Sequence, residues 1–166
     1  MHVLKYQVGY GRLGNYFWGF QEHGVEPDII TMAKAAGNGT PLGFVVTSAE
    51  IADEFGVDGS FFSSAGGGPV SCAVGLAVLE TIEQESLQEN AKEVGNYLNR
   101  KLWNLKESFS IIGTIHGHGL YQGVELVKDS SGKPATEEAY AICERLLELG
   151  IILYDIRYQF DCDHLK

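Results

Sequence analysis

Glycine-rich loops interrupt the first part of the chain, and they constrain its fold more than any other feature. The loops occupy residues 9–14, 37–43 and 66–68, and the short apolar runs 3–8, 29–33 and 42–47 lie near them. Short apolar runs that are bounded by glycine or proline are typical of buried strands ending in loops. The sequence therefore predicts a strand-rich segment up to residue 68, with a short helix capped by Ser48.

Helical periodicity dominates the next part of the chain. Residues 70–82 are apolar nearly all round and follow Pro69, which predicts a helix buried on most sides. Leucine, alanine and valine then recur from Leu87 to Leu105 at steps of 4, 3, 4, 4 and 3, which predicts an amphipathic helix. Two strands, at 111–115 and 120–127, would form a hairpin through 116–119.

The remaining sequence predicts a helix capped by Thr136, with Gly150 just past its end, and a strand beginning at residue 151. The order of these elements predicts an α/β chain in two parts, with a seam near residue 85.

Composition excludes several classes of protein. Apolar residues make up 45% of the 166 residues and charged residues 20%, which is typical of a globular chain. The net charge is −10 with the acidic residues spread along the chain, so we expect no nucleic-acid partner and no membrane partner. Three distant cysteines without a CxxC pair do not suggest a disulfide framework. We expect a soluble chain with no targeting segment of its own.

Two motifs match a dinucleotide-binding site and a metal site, but the residues around each motif argue against such a site. Residues 9–14 fit GxGxxG, but an aromatic run follows them where a dinucleotide-binding module would have a helix. A glycine turn that holds bulky neighbours is the preferred interpretation, and dinucleotide binding remains the alternative. His116 and His118, with Cys162 or His164, could form a metal site, but glycines flank His118 in a predicted turn. We therefore expect no metal.

A lysine and a serine-glycine loop carry the more informative chemistry. Lys34 follows an apolar run and precedes a glycine loop, so it is either a surface lysine or a partly desolvated, nucleophilic amine. Ser63 and Ser64 precede three glycines and Pro69, where hydroxyls and free amides at a helix N-terminus would suit a phosphate, although a simple turn is more common. Together with a polar group near the first glycine turn, these units predict a pyridoxal phosphate site.

These segments resemble the class III aminotransferases that depend on pyridoxal phosphate. The resemblance runs from about residue 7 to about residue 153, and its longest motifs lie at 9–14, 28–34, 37–43 and 64–73. It implies the α/β fold type I of pyridoxal-phosphate-dependent transferases, present in part. Residues 1–85 would be the end of the large cofactor-binding domain, and residues 86–166 would be part of the small α/β domain.

The resemblance also implies roles for individual residues. Lys34 would bind the cofactor as a Schiff base and later carry a proton between substrate and cofactor. Gln7 would contact the ring hydroxyl of the cofactor, and Ser64 would bind the phosphate of the neighbouring subunit, which implies a homodimer. The substrates would be small amino acids or omega-amines and oxo acids such as glyoxylate or pyruvate. Two stretches, 17–20 and 87–90, look most like the mitochondrial members that use alanine and glyoxylate, which would place the protein in mitochondria.

The chain departs from the family pattern in ways that bear on activity. Leu4 stands where the family has an Asp that pairs with the pyridine nitrogen of the cofactor. Residues 154–166 no longer follow the family, and the arginine that would receive a substrate carboxylate is missing. We therefore expect a truncated aminotransferase that is impaired by itself. The alternative is an inert, aminotransferase-like fragment that acts only through subunit contacts.

Overall fold

The structure is a computed structural model that describes residues 3–6, 9–58 and 61–154. These residues form five strands, four α-helices and two 3-10 helices, which confirms the predicted α/β class. The strands are β1 (Val3–Tyr6), β2 (Ile29–Met32), β3 (Phe44–Thr47), β4 (Ile112–His118) and β5 (Tyr121–Leu126). The α-helices are α1 (Ala49–Asp58), α2 (Pro69–Gln84), α3 (Leu87–Ser108) and α4 (Thr136–Glu148), and the 3-10 helices are Gly19–His23 and Lys34–Gly37.

The strands form two sheets. In the three-stranded sheet β2 is central, parallel to β1 and antiparallel to β3. The register places Leu4 beside Ile30 and Ile30 beside Val46. Strands β4 and β5 form the second sheet, the predicted hairpin. The predicted turn at 116–119 is too early, because β4 continues through His118 and the loop is residues 119–120.

The helix ends follow the local chemistry of the chain. The backbone N–H of Ile51 donates to Ser48 Oγ at 3.4 Å, which confirms Ser48 as the cap of α1. Pro69 begins α2 after Gly68, as predicted. The predicted cap of α4 is wrong by one residue. Ala135 caps this helix, because its carbonyl oxygen accepts the first helical hydrogen bond, from the N–H of Ala139 at 2.9 Å, while its own N–H donates to the carbonyl oxygen of Leu126.

The predicted strand from residue 151 is not present among the described residues. Residues 151–154 have no regular secondary structure, because no strand of the described chain pairs with them. Gly150, with φ +81°, ends α4 as predicted.

The chain divides into two compact units. The first contains the described residues up to Asn99 together with Gly117–Gln122, and the second contains Arg100–His116 and the described residues from Gly123 to Tyr154. Both the three-stranded sheet and the tip of the hairpin belong to the first unit. The boundary near residue 85 concerns the domains of the complete fold and stays a prediction.

The core of the first unit lies between the sheet and α2. Its buried members are Tyr10, Ile30, Met32 and Ala36, and Phe17, Trp18, Phe44, Val78 and Ile82 are among the partly buried side chains that pack on them. The Tyr10 ring lies 5.0 Å from Phe17 and 6.1 Å from Phe44, centroid to centroid. The predicted packing of the aromatic stretch is confirmed.

Helix α2 is not buried on most sides, contrary to the prediction. None of its residues is fully buried, and Val70 is 75% exposed and Leu76 is 59% exposed. The apolar sequence of a helix shows that its surface is suited to burial, but it does not show which segment covers that surface.

Among the helices of the described residues, none combines the length and the hydropathy that a membrane span requires.

Candidate active site

Lys34 occupies a strained position at the end of the central strand. Strand β2 ends at Met32, Ala33 is extended, and Lys34 begins the 3-10 helix with a φ of +56°. The left-handed region costs a residue with a side chain about 1–2 kcal/mol, so the surrounding structure must hold it there. Strain of this kind clusters at functional sites. The side chain of Lys34 is exposed.

Packing fixes the segment that carries Lys34. Ala36 is fully buried two residues later, and a Cβ added at Gly37 would lie 2.9 Å from Leu42 Cβ. Leu42 in turn contacts α2, since its Cδ2 atom lies 3.0 Å from the position of a Cβ at Gly75. The amine is therefore displayed from a rigid segment, as a nucleophile must be if it is to meet a carbonyl in one geometry.

Ser64 lies in a loop that leads into the N-terminus of α2. Its neighbour Ser63 shapes the loop, because Ser63 Oγ accepts a hydrogen bond from the backbone N–H of Gly66 at 2.9 Å. Gly67 has a φ of +70° and Gly68 caps α2. Ser64 itself is exposed. A hydroxyl beside a helix N-terminus is suited to an anion, because the first amides of a helix have no partner within it.

Helix α2 connects the two predicted site residues. It begins just after the Ser64 loop and packs against the 3-10 helix that starts at Lys34. Gln7, the third predicted site residue, lies outside the described residues.

The two described residues fit a cofactor that carries an aldehyde and a phosphate. Lys34 offers a primary amine on rigid backbone, and the Ser64 loop offers a hydroxyl next to helix amides. The family resemblance implies a carboxylate for the ring nitrogen at the position of Leu4, and this position lies in β1 in register with Ile30 of β2.

The glycine turn at residues 9–14, before β2, allows a neighbouring helix to pack closely against it. Gly9, Gly11 and Gly14 have φ values of +125°, +81° and +83°. A Cβ at Gly14 would lie 2.6 Å from the Cα atom of Lys92 in α3. Helix α3 therefore takes the space beside this glycine, which favours the packing interpretation over dinucleotide binding.

Three residues of the first unit that were not predicted as functional hold this turn in place: Gly95, Gly119 and Gln122. Gly95 and Gly119 make backbone contacts, and Gln122 hydrogen-bonds to both. Gly95 could have indicated this contact from the sequence, because a glycine inside an otherwise regular amphipathic helix often marks a place where another backbone approaches the helix closely.

His116, one of the two hairpin histidines, pairs with a carboxylate of the neighbouring strand. His116 Nε2 lies 2.9 Å from Glu125 Oε1, and both side chains are more than half exposed. The hydrogen bond from His116, with a smaller contribution from Thr114, lowers the pKa of the Glu125 carboxyl. No group of three potential metal ligands occurs in the described part of the chain, and Cys162 and His164 lie outside it.

Comparisons with known proteins agree on one family. The sequence profile of the family "Aminotransferase class-III" matches residues 6–159. Alanine–glyoxylate aminotransferase 2 homolog 2, mitochondrial, from Arabidopsis thaliana is 53% identical over 89% of this chain and 31% of its own length.

Two solved structures have the same fold. A phospholyase from Arthrobacter in complex with phosphoethanolamine is 38% identical with a TM-score of 0.89, over 93% of this chain and 37% of its own. An S-selective transaminase from Arthrobacter sp. is 33% identical with a TM-score of 0.80, over 89% of this chain and 36% of its own. The chain thus spans about a third of the length of these relatives.

Proposed function

Because the chain belongs to the class-III aminotransferase family, we propose that the complete protein is an aminotransferase that binds pyridoxal phosphate through Lys34. The α/β fold is part of fold type I of these transferases. The observation that carries the proposal is the strained backbone of Lys34, with a φ of +56°, on a segment fixed by buried Ala36. When bound, the cofactor supplies an aldehyde for the amine and an electron-withdrawing ring.

Lys34 has two tasks in this proposal. Its neutral amine would be the nucleophile that holds the cofactor aldehyde. As a base on the 3-10 helix, the same amine would move a proton to or from the substrate carbon.

Ser64 supports a homodimer in which each subunit completes the other's site. Its hydroxyl would bind the phosphate group of the cofactor held by a second copy of the chain. Large apolar residues near it along the chain are exposed: Phe61 is 73% exposed, Phe62 is 90% exposed and Val70 is 75% exposed. Large exposed apolar groups next to a polar site are typical of surfaces that another chain covers.

The substrates we propose are a small amino acid or omega-amine and an oxo acid such as glyoxylate or pyruvate. The name of the Arabidopsis thaliana relative supports this substrate pair and a mitochondrial location. We retain residues 1–85 as the end of the large domain and 86–166 as part of the small domain.

Leu4 favours a second proposal for this chain by itself, that it binds the cofactor without efficient turnover. A carboxylate at this position would stabilise the protonated ring nitrogen, and leucine cannot. The position lies in β1, directly beside Ile30 of the strand that leads to Lys34.

The cofactor proposal is tested by trapping. The purified chain is mixed with pyridoxal phosphate, reduced with borohydride and digested, and the adduct is mapped by mass spectrometry. We expect one modified peptide, with the adduct on Lys34. Lys92 and Lys106, which are lysines on α3, serve as internal controls for non-specific reaction. An adduct spread evenly over the lysines, or a Lys34→Ala variant that reacts equally well, would contradict the proposal.

The turnover proposal is tested with amino donors and oxo acids under the same conditions. We expect no transamination by the chain itself and a measurable gain in the Leu4→Asp variant, with Leu4→Asn as the uncharged control. Turnover by the unaltered chain would overturn the role given to Leu4.

A further inference from the structure

The side-chain amide of Gln122 joins two backbone segments within the first unit. Its Nε2 atom donates to the carbonyl oxygen of Gly95 at 2.7 Å and to that of Gly119 at 2.9 Å. Its Oε1 atom accepts from Asn99 Nδ2 at 3.3 Å. Two carbonyl acceptors on one nitrogen fix the orientation of the amide, because both of its N–H groups are then used.

The segments joined by Gln122 touch without side chains between them. A Cβ at Gly95 would lie 2.3 Å from the carbonyl carbon of Gly119, and a Cβ at Gly119 would lie 2.4 Å from the carbonyl oxygen of Arg12. The backbone N–H of Leu120 donates to that same Arg12 oxygen at 3.0 Å. Helix α3, the hairpin loop and the glycine turn therefore meet backbone to backbone.

The glycine turn in turn supports the segment that carries Lys34. Tyr10, in the middle of this turn, is only 6% exposed and belongs to the same buried cluster as Met32 and Ala36. Met32 ends the strand before Lys34, and Ala36 lies in the 3-10 helix that Lys34 begins. A displacement of the turn would remove the packing on both sides of the lysine.

We propose that Gln122 is a positioning residue for the Lys34 site, acting through the glycine turn. The proposal deepens the proposed function and rests on it for its effect on pyridoxal phosphate. The hydrogen bonds of Gln122 within the described chain reach Gly95, Gly119 and Asn99, so its influence on Lys34 would pass through the glycine turn at Arg12 and Tyr10.

The experiment compares Gln122→Glu and Gln122→Ala with Gln84→Ala in the full chain. Glutamate keeps the size of the side chain but replaces the donating group by an oxygen that faces two carbonyls. Gln84 is an exposed glutamine at the end of α2 and is the matched control. Affinity for pyridoxal phosphate is measured by visible absorption, and amide hydrogen exchange is followed without cofactor.

We expect Gln122→Glu to weaken cofactor binding about fivefold to tenfold, which corresponds to the net free energy of about one neutral hydrogen bond. Exchange should accelerate at residues 9–14 and 35–38 as well as at 119–122, while α1 remains unchanged. Gln84→Ala should behave as the unaltered chain in both measurements. Gln122→Ala should show the same pattern if Gln122→Glu does not fold.

The two proposals fail in distinguishable ways. If the unaltered chain did not bind pyridoxal phosphate, the proposed function would be contradicted. Amide hydrogen exchange, which needs no cofactor, would still test the positioning role of Gln122. Faster exchange confined to 119–122, or unchanged cofactor affinity in a folded Gln122→Glu chain, would overturn the positioning role alone.

Discussion

Gly95 of helix α3 lies against the carbonyl group of Gly119, so closely that a Cβ on Gly95 would be 2.3 Å from the Gly119 carbonyl carbon. Neither partner can yield by rotating a side chain, because the contact is between backbones. The helix and the hairpin loop can therefore approach this closely only because Gly95 has no side chain. Gln122 stabilises the contact through hydrogen bonds to the carbonyl oxygens of Gly95 and Gly119.

The first prediction concerns this contact. Gly95→Ala should lower the free energy of unfolding by about 2–3 kcal/mol, because an added methyl group overpacks the junction. Gly56→Ala is the control: Gly56 lies in α1 with no atom near its Cβ position, so alanine there should stabilise the helix by about 0.5–1 kcal/mol. Denaturant unfolding measures both. Equal effects of the two substitutions would show that the close contact does not exist in solution.

The second prediction concerns the strain at Lys34. Lys34→Gly should be more stable than Lys34→Ala by about 1 kcal/mol, since glycine tolerates a φ of +56° and alanine does not. Both variants lack the amine, so their difference isolates the backbone. Chemical denaturation without cofactor provides the measurement. If alanine were equally stable or more stable, the backbone at Lys34 would be unstrained.

The third prediction concerns pH and the hairpin of β4 and β5. The hydrogen bond from His116, followed by that from Thr114, lowers the pKa of Glu125. A lowered folded-state pKa means that the contribution to stability is present above the unfolded glutamate pKa of about 4.3 and is lost as the pH falls through the folded value. The pair is exposed, so the effect on unfolding should stay below about 1 kcal/mol.

Carboxyl NMR titration tests this directly. The pKa of Glu125 should rise toward its ordinary value in His116→Ala, and it should rise less in Thr114→Val. A Glu125 titration that is the same in His116→Ala and in the unaltered chain would contradict the assignment.

Local sequence signals located most of the secondary structure and the family motifs. Apolar runs gave β2 and β3, a repeat of leucines gave α3, and Ser48 and Pro69 marked the starts of α1 and α2. These features depend on neighbouring residues and on helix or strand periodicity, so they can be read along the chain. The positions of Lys34 and Ser64 next to loops followed for the same reason.

Long-range contacts decided what the sequence could not. The exposure of α2, the cap at Ala135 and the lack of a strand at 151–154 each depend on which distant segment is present to pack or pair. The strain at Lys34 and the junction of Gly95, Gly119 and Gln122 also escaped prediction. A glycine in the sequence shows only that a side chain is absent. Which backbone fills the space is determined by residues far along the chain, and the tertiary structure alone brings these residues together.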